Sequence, residues 1–145
     1  MTWVEQHARL GSAIPALPVR AVGAAVDHYT TRFGFTCRHQ DAGFGIVVRD
    51  DVELHLWESG DDGWRSRPAA DLFDSPVRTG AETFIAGTAS CRIQVDVVDA
   101  LYAELSAAEV LHPTDGGSPV DTDYGTREFA TCDLDGNLLT FYQRS

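Results

Sequence analysis

One pattern runs through this chain twice, and it constrains the fold more than any other feature. Residues 51–57 (Asp51-Val52-Glu53-Leu54-His55-Leu56-Trp57) align with residues 136–142 (Gly136-Asn137-Leu138-Leu139-Thr140-Phe141-Tyr142). A helix-period segment lies ahead of each copy. In the first, Val22, Ala25, Val26, Tyr29 and Phe33 recur at helical spacing, and Gly34 supplies the stop. In the second, Val98, Leu101, Tyr102 and Leu105 do the same, with Asp96 read as the N-cap and Asp99 as an acidic first turn. Strand signals surround both helices, at 13–19, 35–39, 44–49 and 52–57, then at 89–95, 126–132 and 137–143, with a weaker one at 110–114. Asp50-Asp51 and Asp135-Gly136 read as tight turns. The order is β-α-β-β-β, repeated, which an internal duplication explains.

The expected class is therefore α+β. Two βαβββ modules form curved mixed sheets with the helices on their outer faces. One module alone would leave a sheet face and two edges uncovered, so pairing of modules is expected. The organisation is a single domain over 1–145, with a first module at 13–57, a linker at 58–88 and a second module at 89–143. Trp64, Leu72, Phe73 and Phe84 make the linker too apolar for a disordered tether, and a connection this long packs or has a function.

Strand alternation assigns the faces. Val52, Leu54 and Leu56 point under a helix, which sends Glu53, His55 and Trp57 to the opposite, accessible side. Leu139 and Phe141 go under the other helix, leaving Leu138, Thr140 and Tyr142 accessible. Cys91, Ile93 and Val95 turn inward, and Ser90, Arg92 and Gln94 turn outward. A cleft lined by His55, Trp57 and Tyr142 suits a flat, partly apolar ligand, because aromatic faces offer stacking area and attract cations.

Several function classes are disfavoured. The formal charge of −11 opposes nucleic-acid binding, which needs a basic surface, and favours a cationic ligand if a charged one is bound. No apolar run is long enough to span a membrane, and the first ten residues lack an apolar signal core, so a cytoplasmic location without membrane contact is expected. Cys37, Cys91 and Cys132 are scattered and odd in number, which argues for free thiols rather than a disulfide framework or a zinc ribbon. There is no G-x-S-x-G elbow, P-loop or H-E-x-x-H motif.

Residues 13–20, Ala-Ile-Pro-Ala-Leu-Pro-Val-Arg, followed by the helix through Tyr29 and then Arg32-Phe33-Gly34-Phe35, resemble the opening of glyoxalase/bleomycin-resistance (vicinal oxygen chelate) proteins. Residues 124–130, continuing through Asp133-Leu134-Asp135-Gly136-Asn137, resemble the closing motif of the same family. The bleomycin-resistance branch is the nearest match, from about residue 13 to the C-terminus. The resemblance implies a homodimer with two ligand clefts and a first strand exchanged between subunits near a proline, matched here by Pro15. It also implies binding of bleomycin-type glycopeptides, by stacking of flat rings on aromatics near acidic groups, without chemical alteration.

Related enzymes hold a divalent metal with His or Glu at four strand positions. These fall here on Ile14, His55, Ser90 and Thr140, and only His55 is a ligand type; a catalytic zinc needs about three protein ligands. The expectation is a binding protein with no metal, no cofactor and no catalytic residue. The resemblance places Tyr124 where the family has a ligand-stacking tryptophan, Arg92 and Gln94 where the bleomycin-binding branch has aromatics, and Asp41 and Phe44 in an acidic-aromatic patch. The candidate ligand site is thus His39, Asp41, Phe44, His55, Trp57, Trp64, Arg92, Gln94, Tyr124 and Tyr142. The expected role is sequestration of a bleomycin-type or other planar DNA-damaging natural product. Alternatives are a metal-dependent lyase, isomerase or dioxygenase on the same fold, or a metabolite-binding protein.

Overall fold

The computed structural model describes residues 7–59 and 85–145. Residues 7–14 are exposed and belong to no helix or strand. After them come β1 (Ala16–Val19), α1 (Val22–Arg32), β2 (Thr36–Gln40), β3 (Phe44–Arg49) and β4 (Val52–Glu58). The second half runs through β5 (Ser90–Gln94), α2 (Val98–Ala107), β6 (Val120–Asp121), β7 (Thr126–Cys132) and β8 (Leu138–Arg144). The sheets have the orders β1-β4-β3-β2 and β5-β8-β7-β6. In each, the first strand lies parallel to the last and the others are antiparallel. The α+β class, the two helices and the duplicated mixed sheets agree with the pattern in the sequence. No helix among the described residues is long and apolar enough to cross a membrane.

Alternation behaves as the strands require. Leu54, Leu56 and Leu139 are fully buried and Phe141 nearly so, while His55 and Tyr142 are half-buried and Trp57 is exposed. Both halves feed one core, in which Val22, Val26 and Tyr29 of α1 join Val98, Leu101 and Leu105 of α2. Removal of this apolar surface from water is the main stabilising term.

Two local expectations are corrected. Residues 110–114 form no strand; Leu111 makes only an isolated bridge to Thr131, and the fourth strand of the second sheet is the short β6. The cause is His112-Pro113: proline has no N–H to continue a ladder. Helix α2 begins not on an Asp96 cap but at Val97, which has no capping side chain. Instead Asp96 Oδ1 accepts from the Val97 N–H (2.8 Å), and Gln143 of β8 accepts from the Val98 N–H (2.8 Å). A donor left open at the helix start is thereby satisfied from the sheet below it.

The closing motif fastens the halves together. Asp133 accepts four hydrogen bonds: Oδ1 from the N–H groups of Asp135 and Asn137 (both 2.9 Å), Oδ2 from the Tyr29 hydroxyl (2.8 Å) and Asn137 Nδ2 (3.0 Å). Asn137 also donates to the Pro18 carbonyl (2.7 Å) and accepts from the N–H groups of Gly87 (3.1 Å) and Ala89 (3.2 Å). Asp135 accepts from the Arg20 N–H (2.8 Å) and pairs with its guanidinium (3.1 Å). Burial, followed by the neighbouring Asp133 carboxylate, pushes the Tyr29 hydroxyl well above its ordinary pKa. Gly87 has φ +85°, and a Cβ there would lie 2.5 Å from the Asp135 carbonyl oxygen, so only glycine fits. On the helix side, Arg49 grips Glu104 with two bonds (2.6 and 3.0 Å).

Candidate functional site

On the first sheet, β3 and β4 pair Phe44 with Trp57 and Ile46 with His55. The Phe44 ring meets Trp57 at 4.6 Å and His55 edge-on at 5.0 Å, and His39 lies 5.8 Å away. Trp57 remains 45% exposed, so the cluster is an open aromatic surface rather than part of the core. Carboxylates fix both imidazoles. His39 Nε2 donates to Asp41 Oδ2 (2.9 Å), and His55 Nε2 donates to Glu53 Oε2 (2.7 Å). Glu53 also pairs with Arg38. These hydrogen bonds, from His39 and His55 respectively, hold Asp41 and Glu53 below the ordinary carboxylate range. Five of the sequence-predicted residues, His39, Asp41, Phe44, His55 and Trp57, therefore form one patch.

On the second sheet, Arg92 of β5 lies beside Thr140 of β8, and Glu128 of β7 lies opposite Tyr142. Arg92 Nη2 bonds Glu128 Oε2 at 2.5 Å, while Tyr124 (2.8 Å) and Thr126 (2.9 Å) donate to the same carboxylate. Arg92 first, then Tyr124 and Thr126, pull Glu128 below the usual range against the cost of its burial. Arg92 and Arg144 lie over the Tyr142 ring, 5.0 and 5.4 Å from its centroid. Tyr142 is thus not the open stacking face that alternation alone implies; two guanidiniums overlie it. Tyr124 is 62% exposed, with its hydroxyl anchored.

Arg92, Tyr124 and Tyr142 form this second patch, and sequence reasoning missed its hub, Glu128. The signal was available: Glu128 stands on the outward face of β7, within reach of an arginine on the same sheet. Gln94 is exposed and pairs with Tyr142 between β5 and β8, at the edge of this patch. It also lines a cleft of about 590 Å³ between the β3–β4 turn and α2, which none of the other predicted residues lines. Trp64 lies outside the described residues. Among the described residues, no group of three or more His, Cys, Asp or Glu is placed to hold a metal ion. Cys37, Cys91 and Cys132 are free, and burial, with Asp133 nearby, pushes the Cys91 thiol up to about 11.

Chemically, the two patches offer stacking surface, paired charges and hydroxyls, a set suited to holding a flat polar molecule. No family model matches the chain. A bleomycin resistance protein of Geobacillus stearothermophilus is 46% identical over 132 residues, covering 91% of this chain and 96% of the relative. One from Staphylococcus aureus matches equally. Among solved structures, a bleomycin resistance determinant encoded on the transposon Tn5 superposes with TM-score 0.65 at 24% identity, covering 94% of this chain and 99% of that one. A bleomycin-binding protein complexed with bleomycin also gives TM-score 0.65 at 24% identity, over 94% of this chain and all of that one. The solved structures carry the fold, and the sequence relatives, matched nearly end to end at almost half identity, carry the kinship: this chain belongs to the bleomycin resistance protein family.

Proposed function

We propose that this protein binds bleomycin-type glycopeptides, or a related planar DNA-damaging natural product, and holds them unmodified away from DNA. The observation that carries this reading is the Phe44–His55–Trp57 cluster, in which two half-buried rings back an exposed Trp57 on the sheet face opposite the core. Exposed aromatic surface backed by a rigid sheet favours ligand binding, since ring stacking stabilises a complex by about 0.5–1.5 kcal/mol beyond buried area. The relatives' names point to the same ligand. The site is His39, Asp41, Phe44, His55 and Trp57 from one sheet with Arg92, Tyr124 and Tyr142 from the other. Gln94 and Trp64 are peripheral members.

The two patches lie on different sheets of one chain, and a homodimer supplies a way for one to face the other across subunits. Because β1 pairs with β4 of its own chain, the piece left for exchange is the exposed arm ahead of Pro15. The dimer works in the cytoplasm, between drug entry and the chromosome, and needs no metal or cofactor of its own.

Calorimetric titration with bleomycin tests the reading, with mass spectrometry of the ligand recovered afterwards. Saturable binding and an unchanged ligand mass are expected. No heat at micromolar protein, or a mass shift in the recovered ligand, would refute sequestration.

A further inference from the structure

The second sheet's patch has a construction that ligand binding in general does not require. Arg92 is held on two sides. The Tyr142 ring lies 5.0 Å behind it, and Glu128 binds it beside the ring through Nη2–Oε2 (2.5 Å) and Nη1–Oε1 (3.4 Å). Glu128 is itself immobilised by Tyr124 on Oε1 and Thr126 on Oε2, and its side chain is only 16% exposed. The Arg92 side chain, by contrast, remains 47% exposed. A salt bridge serving stability alone gains little at such exposure, with a typical value of about 0–1 kcal/mol. Two groups hold one planar cation, two more fix the carboxylate that holds it, and almost half of the Arg92 side chain stays open.

We propose that Arg92 is the specificity-determining stacking surface of the second sheet: its guanidinium plane, clamped by Glu128 and Tyr142, receives an electron-rich heteroaromatic ring of the bound antibiotic. This rests on the binding function proposed above. Guanidinium is planar, delocalised and weakly hydrated, so its face packs against π systems as an ammonium does not. Glu128 cancels its charge, so the platform does not repel a ligand carrying a cation elsewhere. With both oxygens of Glu128 engaged, that carboxylate is not free to act as counter-ion to the ligand. The patch therefore selects for the flat ring, with electron-rich thiazole- or phenol-like rings preferred over electron-poor cationic ones.

The test titrates metal-free bleomycin into wild-type protein and into Arg92→Ala, Arg92→Lys and Arg92→Trp. Alanine and lysine are both expected to weaken binding about 4- to 12-fold, the range of a stacked ring pair. Tryptophan, which restores a plane, is expected to stay within about threefold of wild type. Lysine is the discriminating variant, because it keeps the charge and loses the plane. Wild-type affinity in Arg92→Lys would overturn the proposal in favour of a simple charge, and wild-type affinity in Arg92→Ala would remove the residue from the site. Should Arg92→Ala fail to fold by circular dichroism, lysine against tryptophan decides the matter alone. Wild-type protein that does not bind bleomycin would overturn the binding function and this inference together; binding with an indifferent Arg92 overturns this inference only.

Discussion

The two sheets share one topology and one register, yet their outward faces are built differently at matching positions. Opposite Trp57 on the first sheet stands Phe44; at the same register on the second, opposite Tyr142, stands Glu128. Beside His55 stands Ala16; at the matching place beside Thr140 stands Arg92. The aromatic pair Phe44–Trp57 in one half is thus a Glu128–Tyr142 pair in the other, and Arg92 adds an ion pair to Glu128 where the first half has only Ala16. The inward positions did not diverge in this way: Leu54 and Leu56 correspond to Leu139 and Phe141, all buried and apolar. Duplication preserves what packing demands and releases what faces water, because a buried charge is costly and an exposed one is not.

The comparison breaks most sharply at the fastening between the halves. Asp133→Ala removes the acceptor of four hydrogen bonds and leaves the Tyr29 hydroxyl, Asn137 Nδ2 and two backbone N–H groups buried without it. Each abandoned donor costs about 1–3 kcal/mol, so a loss of roughly 3 kcal/mol or more is expected in urea unfolding. A loss below about 1 kcal/mol would mean that the shared core, not this clasp, joins the halves.

Trp57→Ala sharpens the contrast between inward and outward positions. Trp57 is 45% exposed, so folding stability should change little while bleomycin affinity falls by about 1–3 kcal/mol, as for an aromatic anchor. Leu56→Ala, one residue away and fully buried, should do the reverse, costing about 2–5 kcal/mol of stability. If both variants moved stability and affinity together, the faces would not be separable. Tyr124→Phe is a finer probe. It keeps the ring and removes the hydroxyl bonded to Glu128, so affinity should fall by only about 0.5–1.5 kcal/mol.

The parts of this molecule that were readable in the sequence are those governed by periodicity. Leu54, Leu56, Leu139 and Phe141 announce their faces by alternation, and Tyr29 and Phe33 by helical spacing, because one local rule settles each. The β3 and β7 boundaries agree to the residue for the same reason. Glu128 was not singled out because its role depends on Arg92, which is 36 positions away and adjacent only once β5, β8 and β7 are aligned. Tyr142 was placed on the correct face but given the wrong freedom, since no local rule says that Arg92 and Arg144 will lie over its ring. Asp135 reads as a turn residue and Asp133 only as part of the closing motif; that both would be buried against α1 and β1 is a tertiary fact.

Acid titration reaches the smallest of these differences. Glu128 has a depressed native pKa, chiefly through the Arg92 bond. A carboxylate whose folded pKa lies below its unfolded value contributes stability that is fully present above the ordinary glutamate range and is lost as pH falls through the lowered native value. Glu128→Gln keeps the shape of the side chain and removes that proton linkage. The variant should be slightly less stable than wild type at neutral pH, with the gap closing as pH falls below the ordinary glutamate range. Glu53, on the first sheet, is depressed mainly by its hydrogen bond from His55, so Glu53→Gln serves as the counterpart. The Glu53 side chain is 27% exposed against 16% for Glu128, whose two oxygens are also bonded by Tyr124 and Thr126. The pH-dependent gap should therefore be wider for Glu128→Gln than for Glu53→Gln in parallel urea titrations. Equal gaps would mean that the second sheet's ion pair is held no more firmly than the first sheet's histidine pair, and the rigid clamp around Arg92 would lose its thermodynamic support.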